Sequence, residues 1–245
     1  MFFLNYNILL SFIYMKYSVV IPAYNEEGAI GEAITTLNKQ TVGRENIEVI
    51  VSDNNSADNT SAVAKESGAD KVVVEKRKGT NFAREAGYNV STGDIIAFLD
   101  ADCVPREDWL FRLGEHLKDS SVGAVSGPYD YGFKGIKKFL ADIYSYRVLP
   151  AAPYLLHAIF RRKAGVLIGG NFAVRRGTME AIGGFPPLAF WGDDSAIAML
   201  VARKVGKVIF VPDVAVWSSP RRLEKEGFFG LTAKYVRAYL HEYFK

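Results

Sequence analysis

Two carboxylates one residue apart are the sequence feature with the clearest chemical potential. Asp100 and Asp102 follow an apolar run, residues 94–99, which is typical of a strand buried on both faces of a sheet. Two carboxylates at the end of such a strand repel each other and need a cation nearby. A hard divalent ion held by one or two carboxylates completes its coordination with water and substrate phosphates. The pair therefore predicts Mg²⁺ or Mn²⁺ with a nucleotide diphosphate or triphosphate, and a solvated acidic loop is the alternative.

Other polar residues could complete such a site. Asp53 ends a second apolar run, and its carboxylate could accept hydrogen bonds from a nucleotide base or a ribose hydroxyl. The alternative is that Asp53, together with Asn55, caps the turn-rich segment that follows. Arg84 lies on a predicted helix after Gly79, where it could reach a phosphate or form a surface salt bridge.

A third acidic position precedes a predicted helix at residues 194–204. Asp193 and Asp194 stand at the helix N-terminus, where the helix dipole favours negative charge in any protein. Beside a metal-diphosphate site, a carboxylate in this place could instead act as a general base. The sequence alone leaves both interpretations open.

Alternating apolar and amphipathic segments must position these groups. Strands are predicted at residues 17–21, 47–52, 71–74, 94–99, 122–126 and 208–211, with helices between most of them. This alternation predicts an α/β fold with a mostly parallel central sheet and helices on both faces. Ligands bind such sheets beyond the carboxyl ends of the strands. The polar clusters at 22–26, 53–55 and 100–102 follow three strands, so we expect them to meet.

The rest of the chain predicts one catalytic domain at residues 16–222 and a helical tail at 223–245. Residues 1–15 form an N-terminal extension: either Met15 is the true start, or the extension packs on the domain, or it is a short anchor at a membrane surface. Residues 136–160 are apolar and aromatic with basic ends, but Pro150 and Pro153 argue against one straight spanning helix.

Composition excludes several classes of protein. Of the 245 residues 49% are hydrophobic and 23% charged, which is ordinary globular usage, and the net charge of +3 is too small to suggest a nucleic-acid binder. The lone cysteine, Cys103, excludes an intrachain disulfide and a cysteine-rich zinc site. Three scattered histidines argue against a histidine-based metal cage, so oxygen ligands are expected.

Several motifs occur together and in a familiar order: VVIPAYNEE at 19–27, VSDNNSADNT at 51–60, the acidic pair at 100 and 102, GGNFAVRR at 169–176, GGF at 183–185 and GDD at 192–194. In these motifs the sequence resembles the family 2 glycosyltransferases, over about residues 16–222. The resemblance implies a GT-A fold, an inverting mechanism, a nucleotide-diphosphate sugar donor and a divalent metal.

The resemblance also implies roles for individual residues. Asp53 would meet the base, Asp100 the ribose or donor sugar, and Asp102 the metal on the diphosphate. Asp194 corresponds to the catalytic base, while Asp193 replaces the usual glutamate of the family's acidic pair. The nucleotide pocket and other substrate contacts would be formed by Pro22, Ala23, Tyr24, Glu26 and Asn171.

Departures from the family pattern narrow the predicted activity. The Gln-x-x-Arg-Trp motif of processive members is missing, which favours transfer of one sugar per acceptor. Arg221 and Arg222 stand in that region, where they could bind diphosphate, donor or lipid, or form a solvated basic turn. The rival functions are a nucleotidyltransferase and a non-catalytic sugar-nucleotide binding protein. A dinucleotide oxidoreductase is excluded because no Gly-x-Gly-x-x-Gly follows the first strand.

The acceptor and the cellular location are predicted from residues 136–160. A basic segment with an aromatic, apolar middle suits a lipid surface, and a lipid-linked acceptor would place its phosphate by the basic residues. The alternative is that the segment packs on the domain and closes the acceptor pocket. No credible signal peptide is present. We therefore expect a protein of the cytoplasm, either free or peripheral at the inner face of the cell membrane.

Overall fold

The computed structural model describes residues 15–161, 163–186, 192–226 and 228–244. The predicted extension, except Met15, lies outside these ranges. Ten strands form: β1 (Tyr17–Ala23), β2 (Ile47–Asp53), β3 (Lys71–Val74), β4 (Ile95–Leu99), β5 (Cys103–Pro105), β6 (Val122–Ser126), β7 (Tyr129–Asp130), β8 (Asn171–Arg175), β9 (Lys207–Phe210) and β10 (Val216–Ser218).

Ten α-helices accompany them: α1 (Ile30–Leu37), α2 (Thr60–Glu66), α3 (Thr80–Val90), α4 (Trp109–Leu117), α5 (Gly135–Ile143), α6 (Leu149–Phe160), α7 (Arg176–Ile182), α8 (Asp193–Lys204), α9 (Arg221–Glu226) and α10 (Phe228–Phe244). Short 3₁₀ turns occupy Arg44–Asn46 and Pro212–Val214, and a π-helical turn, Tyr144–Val148, joins α5 to α6.

Seven of the strands form the central sheet in the order β3-β2-β1-β4-β8-β6-β9. All pairs are parallel except those of β8, which runs antiparallel to both neighbours. The predicted α/β fold with a mostly parallel sheet is thus confirmed. A second, small sheet has the order β5-β10-β7 and stands beyond the end of β4.

The sheet is covered on both faces because its strands are apolar on both sides. Along β1, Val19 and Ile21 pack in one core with residues of α1 and α4, while Val20 packs in a second core with residues of α7 and α8. All three side chains are fully buried. Such two-sided burial is expected of a strand in the middle of a parallel sheet, and it fixes the carboxyl end of β1 next to that of β4.

Residues 135–160 form a helical arm, which we define as α5, the π-helical turn and α6. The two prolines do not end the helix: Pro150 lies in the first turn of α6, where its missing N–H is not needed, and Pro153 lies inside. Within the described ranges, no helix combines the length and apolar character that crossing a bilayer requires. The tail is tied to the arm because the Tyr243 hydroxyl donates to the Leu156 carbonyl at 3.1 Å.

Candidate active site

A cavity of about 650 Å³ opens at the carboxyl ends of β1 and β4. Nine residues predicted from the sequence line it: Pro22, Tyr24, Glu26, Arg84, Asp100, Asp102, Asp193, Asp194 and Arg221. The polar clusters after β1 and β4 thus meet in this cavity, and the cluster after β2 meets the one after β1, because the Asn54 N–H donates to the Ala23 carbonyl at 2.7 Å. The third cluster, after β2, does not line the cavity.

Arg84 ties two of these carboxylates together. Its guanidinium donates to Asp193 at 2.9 and 3.1 Å and to Asp100 at 3.0 Å, and it is only 5% exposed. The cost of burying a charged guanidinium is offset when it is paired in this way. Arg84 thus forms a buried salt bridge rather than the surface salt bridge suggested by the sequence, and the predicted phosphate contact stays a prediction. Arg84 holds Asp193, itself 2% exposed, against Asp100.

Asp100 has a second fixed partner that the sequence did not reveal. The Tyr129 hydroxyl donates to the Asp100 carboxylate at 2.9 Å and accepts from the Gly170 N–H at 3.1 Å. A β-carbon at Gly170 would collide with both the Asp100 carboxylate and the Tyr129 hydroxyl. Only glycine therefore lets the backbone pass this close, and the Asp100 side chain is oriented from two sides.

Asp194 is the carboxylate of the acidic pair that Arg84 does not bind. It accepts hydrogen bonds from the backbone N–H groups of Ser195 at 2.6 Å and Gly169 at 3.2 Å. Burial raises its pKa to about 6, the charge of Asp193 adds to the rise, and Arg84 opposes it. A carboxyl group with that pKa is ionised at neutral pH and is still basic enough to accept a proton.

Arg221 lies between two other acidic side chains. Its Nη2 is 2.7 Å from the nearer Glu26 oxygen and 3.1 Å from Asp102. Burial and the charge of Asp100 raise the pKa of Asp102, whereas Arg221 lowers it. Burial also raises the pKa of Glu26, and again Arg221 opposes the rise. Both carboxylates therefore favour a cation, and the guanidinium supplies one.

These residues fit the metal that the family resemblance implies. Oxygen donors suit Mg²⁺ or Mn²⁺. The Arg221 guanidinium, 3.1 Å from Asp102, already places one positive charge beside this carboxylate. Within the described residues, no group of three or more His, Cys, Asp or Glu forms a closed cage. A metal would accordingly be held by Asp102 and would depend on substrate phosphates and water for its other ligands.

Asn171 is not in contact with the cavity. Its side chain is fully buried in β8, accepts from the Trp109 indole N–H at 2.9 Å, and donates to the carbonyls of Val214 and Pro128 at 2.9 and 3.2 Å. Through these contacts Asn171 links the central sheet to α4 and to the segment before β10. Its predicted substrate contact stays a prediction.

Asp53, Asn55 and Ala23 are likewise not among the residues that line the cavity. The Asp53 carboxylate is buried and accepts from the Ser56 N–H at 2.8 Å and from the Ser61 hydroxyl, which is the capping alternative raised by the sequence. Asn55 is exposed with a positive φ of 60°. Ala23 is buried and pairs with Asp53 across the sheet. The Arg222 side chain is outside the described part of the structure.

Three cavity residues come from the predicted tail. Lys225 lies on α9, and Tyr235 and Ala238 lie on α10. The tail reaches the site because α10 packs on α8, where Arg203 donates to the Tyr243 carbonyl at 2.7 Å. In the sequence, residues 235–244 carry an aromatic face that is consistent with this packing. Residues 223–245 thus contribute to the cavity wall.

Comparison with known proteins gives this geometry a context. The family model described as glycosyl transferase family 2 matches residues 18–183. The glycosyltransferase AglE of Haloferax volcanii is 28% identical over 72% of this chain and 58% of its own. The dolichol-phosphate mannosyltransferase of Pyrococcus furiosus is 29% identical over 81% of this chain and 56% of its own. This chain thus spans little more than half the length of these curated relatives.

Solved structures share the fold. The mannosyltransferase PcManGT of Pyrobaculum calidifontis, solved with GDP-Man and Mn²⁺, is 26% identical with a TM-score of 0.65, over 91% of this chain and 64% of its own. The glucosyl-3-phosphoglycerate synthase of Mycobacterium tuberculosis is 24% identical with a TM-score of 0.64, over 94% of this chain and 80% of its own. The second likeness supports the architecture alone.

Proposed function

We propose, on the premise that this chain belongs to glycosyl transferase family 2, that it transfers one sugar from a nucleotide-diphosphate sugar to an acceptor hydroxyl. The observation that carries the proposal is that the cavity carboxylates have different hydrogen-bond partners. Arg84 pairs with Asp193 and Asp100, whereas Asp194 is held only by backbone N–H groups and Ser195. One carboxylate is thereby left available to accept a proton.

The donor side of the cavity would hold the diphosphate. A divalent metal bound there neutralises the charge that develops on the leaving diphosphate. Asp102 would hold the ion, and Arg221 would give up its contact with Asp102 and turn toward the phosphates. Asp100, fixed by Tyr129 and Arg84, would accept from a hydroxyl of the ribose or donor sugar. The base contact suggested for Asp53 would use lone pairs not engaged by the loop.

The acceptor side would contain Asp194. A hydroxyl group placed against its carboxylate would lose its proton to Asp194 as the oxygen attacks the anomeric carbon in line with the leaving diphosphate. The bond to the new oxygen forms while the bond to the diphosphate oxygen breaks, so the configuration inverts. No covalent enzyme intermediate is needed in this step.

The pKa of Asp194 predicts the pH dependence of the rate. Because the carboxylate must be ionised to accept a proton, kcat should fall about tenfold for each pH unit below the pKa of about 6 and should level off above it. The measurement is kcat between pH 4.5 and 8 with saturating donor, metal and acceptor. A rate that is flat between pH 5 and 7 would contradict the role of Asp194.

The nature of the released product separates this proposal from its rivals. A glycosyltransferase releases a nucleoside diphosphate, a nucleotidyltransferase releases inorganic pyrophosphate, and a binding protein releases neither. We would screen nucleotide sugars with Mn²⁺, with and without pooled acceptors, and begin with GDP-Man because the solved relative of 26% identity was crystallised with it. Release of pyrophosphate from a nucleoside triphosphate would favour the nucleotidyltransferase.

We also propose that the helical arm contacts a membrane surface and that the acceptor is lipid-linked. Ten of the nineteen exposed large hydrophobic side chains in the described residues belong to this arm. On α5, the stripe of Ile136, Phe139, Leu140 and Ile143 is 40–69% exposed at helical spacing. Residues 134–163 carry seven Lys or Arg and a single acid, Asp142. An exposed apolar stripe on a basic helix suits an anionic lipid surface.

Binding to vesicles tests this membrane contact. The protein should co-sediment with vesicles containing phosphatidylglycerol and less so with pure phosphatidylcholine or at high salt. Each basic residue near an anionic surface contributes about 1 kcal/mol, so Lys137→Gln should weaken binding about fivefold. Phe139→Ser should weaken it too, whereas Phe111→Ser, an exposed aromatic on α4, is the matched control. Protein that stays in the supernatant at low salt would favour an acceptor that is not lipid-linked.

A further inference from the structure

A second cavity of about 620 Å³ lies along β9, the last strand of the central sheet, and we call it the edge cavity. It shares no lining residue with the active-site cavity. Ser121 and Lys207, which line it, stand where β6 and β9 begin. β6 and β9 run in the same direction as β4. Ser121 and Lys207 therefore lie at the amino-terminal ends of the strands, whereas Asp100 lies at the carboxyl end.

The walls of the edge cavity are mainly apolar. Pro150 and Pro153 of α6 form one side, and Val208 of β9 and Val166 form the other. The backbone before Val166 lies directly on the strand, because a β-carbon at Gly165 would come within 2.5 Å of the Val208 side chain. A mostly apolar cavity of several hundred Å³ with a few polar groups is typical of a small-molecule site.

The two charged side chains that line the edge cavity, Lys163 and Lys207, are both positive. His157 also lines it, and none of its described lining residues is acidic. Neither lysine forms an ion pair within the part of the chain that the structure describes. Asp119 is near enough for Lys207 to lower its pKa, but it does not line the cavity and its carboxylate accepts from the Ser121 N–H at 2.8 Å. The cavity is thus complementary to an anion.

We propose that the edge cavity binds a single-chain anionic amphiphile, with its phosphate or carboxylate head group at Lys163 and Lys207 and its alkyl chain along the apolar walls. Compact ammonium groups suit a small anionic head group, since each acts as a strongly hydrated point charge. The apolar walls give an alkyl chain the burial that a free phosphate lacks. This site does not depend on the proposed sugar transfer, because it lies apart from the cavity carboxylates.

The helical arm places this site beside the proposed membrane contact. Tyr154 of α6 lines the edge cavity and is 77% exposed, and Leu155 and Ile159 on the same helix are also exposed. A lipid drawn from a bilayer against α6 would therefore need to move only past this helix to reach the lysines. Occupancy of the edge cavity would add an attachment to the membrane that is separate from catalysis.

Calorimetry with decyl phosphate, kept below its critical micelle concentration, tests the proposal on the full chain. We expect saturable binding that weakens about fourfold for each methylene removed, as burial of an alkyl chain requires. Decyltrimethylammonium and decyl maltoside carry the same chain with a cationic or neutral head group and should bind at least tenfold more weakly. Inorganic phosphate alone should bind too weakly to measure.

Variants locate the binding site. Lys163→Glu combined with Lys207→Glu should lower the affinity for decyl phosphate at least tenfold, whereas Lys39→Glu combined with Lys76→Glu, two exposed lysines elsewhere, should leave it unchanged. If the charge reversal impairs folding, the milder pair Lys163→Gln and Lys207→Gln replaces it. Equal affinity of wild type and lysine variant would overturn the proposal. So would equal binding of the cationic amphiphile, or binding of inorganic phosphate as tight as that of decyl phosphate.

Discussion

Asp194→Asn is expected to lower kcat by about 10²- to 10⁴-fold, the usual effect of losing a positioned general base. The amide has a single acceptor oxygen, so it can keep the hydrogen bond that the Ser195 N–H donates but not also the one from the Gly169 N–H. The variant is nearly isosteric and changes only the acceptor side of the proposed mechanism. Affinity for the donor should therefore change little. The measurement is kcat with saturating donor and acceptor, together with donor affinity by calorimetry.

This variant should also change how the stability of the protein depends on pH. Burial and the charge of Asp193 raise the pKa of Asp194 above its unfolded value, so the folded protein binds the proton more tightly than the unfolded chain does. The ionised group therefore costs stability, and this cost develops as the pH rises from about 4 to about 6 and remains above it. The amide carries no charge at any pH, so the loss of stability that Asp194 causes in wild type between about pH 4 and 6 should be absent from Asp194→Asn, which unfolding measured across this pH range would check.

Asp193→Asn is the informative control because the two acids are adjacent but differently bound. Removing one partner of a buried ion pair typically costs about 3–5 kcal/mol, and Asp193 pairs with Arg84 at 2.9 Å. We expect this variant to lose stability. Its activity should also fall, because Arg84 and through it Asp100 would no longer be held in position. If Asp193→Asn loses activity at unchanged stability while Asp194→Asn stays active, the roles of the two acids are reversed.

The fold was predictable because its strands are continuous apolar runs. Six of the seven strands of the central sheet fall on predicted segments, and polar residues after β1 and β4 meet as expected. The strand β8 was missed because GGNFAVRR looks like a tight backbone passage, and its partners β4 and β6 are distant in sequence. Asn171 lies in this strand, and its polar side chain is satisfied by hydrogen bonds inside the protein.

At the site, contacts between residues that are distant in sequence limited what could be predicted. Arg84 and Asp193 are 109 residues apart, so no local pattern distinguishes their buried pairing from a phosphate contact or a helix-dipole effect. Tyr129 carries no local signal either, since a tyrosine after a strand is common and its bond to Asp100 follows only from the small second sheet. The types of residue in the site could thus be predicted, but not which carboxylate was left available.

Asp102→Asn is expected to remove the contribution of the metal to nucleotide binding. In wild type, Mn²⁺ should tighten the binding of a nucleoside diphosphate because the ion links Asp102 to the phosphates. Without that carboxylate, affinity in saturating Mn²⁺ should fall at least about 10²-fold, toward the value measured in excess chelator. Calorimetry with GDP and UDP, with and without Mn²⁺, makes the comparison. Full activity of wild type in excess chelator would rule out a metal-dependent mechanism.

Arg221→Gln should have the opposite effect on one affinity, that of the nucleotide-free protein for Mn²⁺. The guanidinium binds Glu26 and Asp102, so it competes with a metal for the same negative charge. Its removal should therefore raise the affinity of the nucleotide-free protein for Mn²⁺, yet lower the affinity for the metal–nucleotide complex if Arg221 turns to the diphosphate. A general loss of structure would lower both affinities. Only a cation that exchanges places with the metal changes them in opposite directions, which is the behaviour expected of Arg221 in the donor half of the site.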